Sequence, residues 1–271
     1  MQYNVQPQVD GLRMNKYAHA ARHGMTSLVG WFRLHSKQPK FARELLKRRW
    51  CYFARRQFEP GFVSPDGFVF STPDSLVGYW SMFVEGELDS KDWINALQTT
   101  PQPLVVDVGA NAGLFSHLVF CLNPNVEIIA FEPLPLMVEH IQVLKQRNGI
   151  NLHCIPKAAG RTSGTATLES PHGYDGTSRI SMSGQPAGKT FQVEITALDN
   201  ELKNRPVLVM KIDVEGYEEE VIAGAEETLS RTKFLIIEAH TAARCDHLTR
   251  LLGQNWRRCR LGVSDYLFAH I

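Results

Sequence analysis

Leu104-Val105-Val106-Asp107-Val108-Gly109-Ala110-Asn111-Ala112-Gly113 is the stretch that decides the fold. Residues 104–108 form an apolar run carrying a single acid, the pattern of a strand covered on both faces of a parallel sheet. Gly109 and Gly113 then let the backbone turn and approach a ligand with no Cβ in the way. Residues 113–122 read as a helix, so the turn ends in free N–H groups that attract a carboxylate. Open α/β sheets bind their ligands at such carboxyl ends of strands. Asp107 would set a negative charge beside a cationic ligand there.

Outward from this point the chain alternates. Strands are expected at 126–131, 152–155, 207–212 and 234–237, and helices at 136–147, 218–229 and 242–252. A closing antiparallel pair is expected at 256–260 and 266–269. Repetition of this kind gives a doubly wound α/β sheet with right-handed crossovers. The alternation breaks between 155 and 207, where 165–168 and 191–195 look like extra strands around the Gly/Ser-rich stretch from Ser170 to Lys189. So long a loop is usually functional or disordered. Around Tyr174 to Arg179 it is expected to overhang the strand ends and close over an acceptor.

Upstream, Thr99 to Pro103 reads as a joint. Before it, Phe62-Val63 and Phe68-Val69-Phe70 flank Ser64-Pro65-Asp66-Gly67 as short strands about a tight turn. A helix follows Asp74, and another, capped by Asp89 or Ser90, runs through Leu97. Residues 39–58 put Phe41, Leu45, Leu46, Trp50 and Phe53 at helical spacing with Arg and Lys between them. Such a basic amphipathic helix can pack on the main domain, lie on an anionic membrane or hold a polyanion. Three parts result: a basic helical extension at 1–60, a lead-in hairpin with helices at 61–103, and a catalytic domain at 104–271.

A chain of 271 residues with 44% hydrophobic and 21% charged residues is globular, which excludes wholesale disorder. No apolar run approaches the roughly 20 residues that span a bilayer. The net charge of +1 conceals an asymmetry: residues 1–60 hold 12 Lys/Arg against 3 Asp/Glu, and the remainder 17 against 25. Cys51, Cys121, Cys154, Cys245 and Cys259 are scattered with no C-x-x-C pair, and the opening MQYNVQPQVDG lacks the order of a secretory signal. Both point to reduced thiols and a cytoplasmic protein.

Ala130-Phe131-Glu132-Pro133 places a second acid at a strand end, one strand–helix–strand unit after Asp107. A carboxylate there can accept both hydroxyls of a ribose. The glycine spacing is not G-x-G-x-x-G and no G-x-x-x-x-G-K-[ST] occurs, which removes dinucleotide and P-loop sites. One acid, two glycines and no phosphate-binding lysine suit S-adenosylmethionine, a cofactor with a sulfonium, an ammonium, a carboxylate and a ribose but no phosphate.

These motifs, together with Ala158-Ala159-Gly160, Thr196-Ala197-Leu198-Asp199, Lys211-Ile212-Asp213-Val214-Glu215-Gly216 and Ile237-Glu238-Ala239-His240, resemble the FkbM-like methyltransferases. The likeness covers roughly residues 74–240, with the Lys211–Gly216 block the most diagnostic and Gly86-Glu87 in the place of the family's leading acid. It implies the class I methyltransferase fold, a Rossmann-like, mostly parallel seven-stranded sheet. It also implies methyl transfer to a hydroxyl of a sugar, glycan or natural-product acceptor. On that likeness Asp107, Gly109, Asn111 and Gly113 form the cofactor loop, Glu132 holds the ribose, and Asp213 and Glu215 face the sulfonium and the acceptor.

The second cluster has a physical basis of its own. Lys211, Asp213 and Glu215 alternate at the end of an apolar strand, so an extended chain puts them on one face, and charges there need partners. Glu238 and His240 repeat the situation one strand later. Methyl transfer is an in-line displacement that depends on holding the acceptor oxygen against the methyl carbon, and an alcohol must also lose its proton. Histidine changes charge nearest neutral pH, which suits His240 as general base. Asp213 is the alternative, or it stands at the cofactor–acceptor boundary, while Lys211 keeps Asp213 or Glu215 ionised. Asp213, Glu215, Glu238 and His240 could take Mg²⁺, but an ion-pair network needs no metal and none is expected. Two rival functions remain. A nucleic-acid methyltransferase is favoured by the basic leader, but no N/D-P-P-Y/F block occurs, so no nucleic-acid partner is expected. A non-catalytic module docked on a membrane through 39–58 is opposed by the intact Asp107, Glu132 and Asp213.

Overall fold

The computed structural model describes residues 34, 36–55, 60–70, 72–85, 88–170, 178–181, 189–262 and 264–271. Its elements run, in order, α1 (Pro39–Arg55), β1 (Phe62–Val63), β2 (Val69–Phe70), α2 (Pro73–Tyr79) continuing as a π-helical segment over Trp80–Glu85, and α3 (Lys91–Thr99). Next come β3 (Leu104–Val108), α4 (Leu114–Leu122), β4 (Glu127–Phe131), α5 (Pro135–Asn148) and β5 (Leu152–Ile155). The middle section is β6 (Ala158–Ala159), β7 (Gly164–Ser170), β8 (Arg179–Ile180), β9 (Lys189–Thr196) and α6 (Leu198–Leu202). The chain closes with β10 (Val207–Ile212), α7 (Glu218–Ala223), α8 (Glu226–Leu229), β11 (Thr232–Glu238), α9 (Ala242–Leu252), β12 (Trp256–Arg260) and β13 (Asp265–His270).

Seven strands form one sheet in the order β12-β13-β11-β10-β3-β4-β5. Pairing is parallel from β11 through β5 and antiparallel where β13 joins β11 and β12. The order reverses between β3 and β10, which makes the gap beyond their carboxyl ends the ligand position of a doubly wound sheet.

Period-two alternation sorts the strands into two cores. Val105, Ile128, Ala130, Val209 and Ile236 face the layer that holds Phe68, Leu76, Trp93, Phe115 and Leu144. Val106, Val108, Ile129, Met210, Ile212 and Ile237 face Leu198, Val221, Leu229 and Leu248. Burying each such side chain contributes about 1.5–3 kcal/mol. Asp107 and Lys211 share the parity of Val105 and Val209 and lie side by side in the β3–β10 register.

Several local expectations change. The helix expected at 218–229 is cut at Gly224, because a Cβ there would lie 2.0 Å from the Gly160 carbonyl oxygen, so the backbone turns as it passes. Helix α2 is capped by Thr72 rather than set off by Asp74: Thr72 Oγ1 accepts from Ser75 N at 3.1 Å in a capping box. The strands around the Gly/Ser-rich stretch form a separate sheet, β6-β9-β7-β8, in which β6 had no counterpart in the sequence reading. Most of that stretch, 171–177 and 182–188, lies outside the described residues.

The upstream segments share the first core. Phe41 stacks on Phe62 at 5.6 Å and meets Tyr79 edge-on at 5.9 Å, and Ala42 and Leu45 are fully buried. Residues 56–58 of the expected helix lie outside the described residues. The hairpin turn is tied down through Asp66, which accepts from Tyr79 Oη at 3.1 Å and stands 3.6 Å from Nε2 of the buried His117. Burial pushes the Asp66 carboxyl up, but bonds from His117 and Ser64 hold it below the usual range. All five cysteines are free thiols. No helix among the described residues is long and apolar enough to cross a membrane.

Leu45→Ala tests whether α1 is integral to the first core. A fully buried leucine truncated to alanine costs about 2–5 kcal/mol, so the urea midpoint is expected to fall; an unchanged midpoint would make α1 an appendage.

Candidate active site

The carboxyl ends of β3 and β10 nearly touch. Gly109 has φ +78°, and a Cβ on it would lie 1.8 Å from the Asp213 carbonyl oxygen. Asp213 N donates to Val108 O at 3.0 Å, while Gly109 N and Ala110 N both donate to Phe131 O at the end of β4. Three strand exits are thereby stitched together, and only glycine fits at the crossing.

Asn111, at φ +49°, follows in the same loop. Its N–H donates to Glu132 Oε2 at 2.8 Å, and Leu134 N donates to Glu132 Oε1 at 2.9 Å. Burial pushes the Glu132 carboxyl up to about 7 against those two bonds, with the charges of Asp107 and Asp213 adding to the rise.

Asp107 is 1% exposed and its Oδ2 accepts from Ser116 N at 3.2 Å and Ser116 Oγ at 2.7 Å, tying β3 to the first turns of α4. Burial raises its carboxyl, opposed by Lys211 and Ser116. Gly113 departs from the sequence reading. A Cβ there would meet Leu144 Cδ2 at 2.9 Å, so its small size serves the packing of α4 on α5, and it lines neither of the cavities described below.

Lys211 is buried and its Nζ lies 2.5 Å from Asp213 Oδ2. Burial works against its charge, but Asp213, Asp265 and Asp107 around it win and hold the ammonium more tightly than usual. The Asp213 carboxyl, pushed up by burial, is brought below its ordinary value by Lys211. Glu238 goes the other way: burial and the Asp213 charge push it up, so it keeps its proton and shares a hydrogen bond with Asp213. Ser264 Oγ donates to Glu238 Oε1 at 2.9 Å.

Lys211, Asp213 and Glu215 do not form a single row as the alternation suggested. The strand ends at Ile212, and Glu215, at φ +50°, meets His240 instead, Oε2 to Nε2 at 3.2 Å. His240 is 60% exposed, and its Nδ1 lies 3.9 Å from Glu238 Oε1. Glu215, Glu238 and His240 present ligand atoms within 4.8 Å of one another, as do Asp66, His117 and Cys121 at the hairpin, so either trio is spaced to hold a cation.

Two cavities flank the Gly109–Asn111 loop, and Gly109, Asn111 and Asp213 line both. The first is walled by Phe131, Glu132, Leu134, Met137, Glu215 and Tyr217, with Leu168, Ser178, Arg179 and Ile180 contributed by the second sheet. The second, on the α2 side, is walled by Asp107, Lys211 and Phe115 with Ser75, Gly78 and Met82 from the α2 segment. Leu134 and Met137 were missed although they lie within four residues of Pro133. Tyr217 and Ser75 carry no motif and reach the cavities only through tertiary packing, whereas Ser178 and Arg179 belong to the stretch expected to overhang the strand ends. Gly86-Glu87 lies outside the described residues, as does most of the expected lid.

The model of the Methyltransferase FkbM domain matches residues 107–260. This chain belongs to the FkbM methyltransferase family. It is 29% identical over 149 residues to the hexuronic acid methyltransferase AglP of Haloferax volcanii, a match spanning 55% of this chain and 60% of that protein. Among solved structures it is similar to precorrin-6y C5,15-methyltransferase from Geobacter metallireducens (TM-score 0.40, 14% identity, 66% of this chain and 85% of that one). The METTL16 MTase domain aligns with a TM-score of 0.45 and 12% identity over 89% of this chain and 91% of that one. The FkbM domain here has the class I methyltransferase fold, a Rossmann-like, mostly parallel sheet of seven strands.

Two outcomes test this geometry in the FkbM domain. Lys211→Met leaves the buried Asp107 and the partly exposed Asp213 without their cation and is expected to cost about 3–5 kcal/mol in denaturant unfolding. The folded Glu132 carboxyl titrates above its unfolded value of 4.5, so its contribution to stability is complete below about pH 4.5 and is lost as pH rises through about 7. The shift corresponds to about 3 kcal/mol. Glu132→Gln should therefore gain stability relative to the parent between about pH 5 and about pH 8, read from paired urea titrations.

Proposed function

We propose that this FkbM protein is an S-adenosylmethionine-dependent O-methyltransferase acting on a hydroxyl of a sugar or glycan. The observation that carries the reading is the position of His240, held by Glu215 beside the cavity that Asp213 and Glu215 line.

The cavities suit that cofactor. Glu132 is buried and keeps unused lone pairs beyond its two backbone bonds, so it can accept ribose hydroxyls, and Leu134, Met137 and Phe131 offer apolar walls to a flat base. Asp107 and Asp213 give the second cavity the negative character that an amino-acid ammonium requires. Lys211 is committed to Asp213, which leaves the loop without a phosphate-binding cation and favours a ligand that has no phosphate. Bound there, S-adenosylmethionine supplies a methyl group on a cationic sulfur, transferred as the acceptor oxygen attacks.

The chain's own residues hold the acceptor and move its proton. With Nε2–H donated to Glu215, the lone pair of His240 is on Nδ1 and takes the hydroxyl proton as the new C–O bond forms. Protonated Glu238 donates to Asp213, so the cluster keeps a single carboxylate charge between the two. Ser178, Arg179 and Tyr217 add hydrogen-bonding groups to the same wall, as a polyol acceptor needs. The hexuronic acid methyltransferase relative supports a sugar as the acceptor class.

The test is transfer of labelled methyl from S-adenosylmethionine to neutral and uronate-containing glycans. A methyl ether that survives mild alkali is expected; label released as methanol would place the reaction on a carboxylate, which has no proton to lose. His240→Ala should lower kcat by roughly 10²–10⁴-fold while leaving S-adenosylhomocysteine affinity unchanged. An undiminished kcat would remove His240 as the base.

A further inference from the structure

Helix α1 spends only one of its two apolar stripes inside the fold. Phe41, Ala42 and Leu45 turn inward onto the hairpin and α2. Leu46, Trp50 and Phe53 remain 40%, 68% and 49% exposed. At 3.6 residues per turn these three fall within about 60° of arc, a ridge along the outer side of the helix. The other exposed large apolar side chains among the described residues, Val143, Leu251 and Ile271, stand singly on separate parts of the chain, as surface hydrophobes ordinarily do.

The charges around the ridge are of one sign. The helix carries Lys40, Arg43, Lys47, Arg48, Arg49 and Arg55 against the single acid Glu44, and Glu44 is already paired with Arg48 at 2.8 Å. Lys40, Arg43 and Lys47 are exposed and follow one border of the ridge. The Arg49 guanidinium lies over the rings of Phe53 and Trp80 on the other border. Residues 61–271 bear an excess of acids, 25 against 17 basic residues. An anionic surface would therefore draw α1 in and repel the remainder, which orients the molecule before contact.

We infer that α1 docks this protein on an anionic phospholipid bilayer, lying in the plane of the interface. Leu46, Trp50 and Phe53 enter the boundary between headgroups and acyl chains, where tryptophan is enriched. Lys40, Arg43 and Lys47 reach lipid phosphates with their apolar stems against the chains. Neither part suffices alone: a short apolar ridge binds weakly, and stable attachment takes an added basic patch. Because α1 packs on α2, and Ser75 and Gly78 of α2 line the second cavity, docking holds the cavities one helix layer from the bilayer. The inference does not depend on which acceptor is methylated.

Flotation of the full chain with vesicles tests it. Strong binding is expected to phosphatidylcholine vesicles containing roughly 30 mol% phosphatidylglycerol at low salt, and weak binding to phosphatidylcholine alone. Trp50→Ser with Phe53→Ser should lower partitioning by roughly tenfold or more. Lys40→Gln with Arg43→Gln and Lys47→Gln should abolish the preference for anionic vesicles and its salt dependence. All five positions are solvent-facing, so unchanged thermal midpoints and retained S-adenosylhomocysteine binding separate lost docking from lost folding. A folded parent that stays unbound overturns the inference, as does full binding by the Trp50/Phe53 variant. Tighter binding to a single-stranded oligonucleotide than to the vesicles, abolished by the same substitutions, also overturns it and makes α1 a polyanion site.

Discussion

The crossing of Gly109 over the Asp213 carbonyl sets the shape of everything around it. Two neighbouring parallel strands leave the sheet there and part to opposite sides, which is the geometry of a topological switch point. A side chain at 109 would occupy the place of the Asp213 backbone, so the strands could not exit in register. Directly beneath, the buried Lys211 and Asp107 meet the partly exposed Asp213, one cation with two acids. Such a cluster is costly to bury and more costly to break. It holds the crossing in one arrangement, and both cavities open from it.

Much of what makes the family's motifs diagnostic is packing. Gly160 belongs to the Ala-Ala-Gly block because a Cβ there would meet Ile195 Cγ2 at 2.8 Å and Tyr217 Cε1 at 3.2 Å. Asp199, in Thr-Ala-Leu-Asp, accepts from Glu227 N at 3.1 Å and Thr228 N at 2.7 Å, which caps α8 from a distant segment. Gly113 lets α4 lie against α5. These residues hold the frame in which Glu132, Asn111 and Asp213 line the first cavity.

The site has two ends. The inner end holds Glu132, whose carboxyl burial pushes up to about 7. At the outer end Glu215 and Glu238 meet His240, which is exposed. Burial and the neighbouring Asp213 charge raise the Glu238 carboxyl there.

The order of strands and helices was legible in the sequence because a strand covered on both faces is a short apolar run and a surface helix repeats at 3.6 residues; Leu104–Val108 and Val207–Ile212 show the first and Ala242–Leu252 the second without needing a partner. The places of the loop residues were legible for the same local reason: Asp107, Gly109 and Glu132 sit at strand ends whatever they later touch. Contacts between distant segments were not. That Gly113 serves a helix–helix contact, that Gly224 breaks a helix against Gly160, and that Glu215 leaves the Lys211 face for His240 each depend on which backbone lies a few ångströms away. Tyr217 and Ser75 became cavity residues by the same route. Spacing along the chain specifies what a residue can do, and only folding the chain back on itself decides which neighbour is there to do it with.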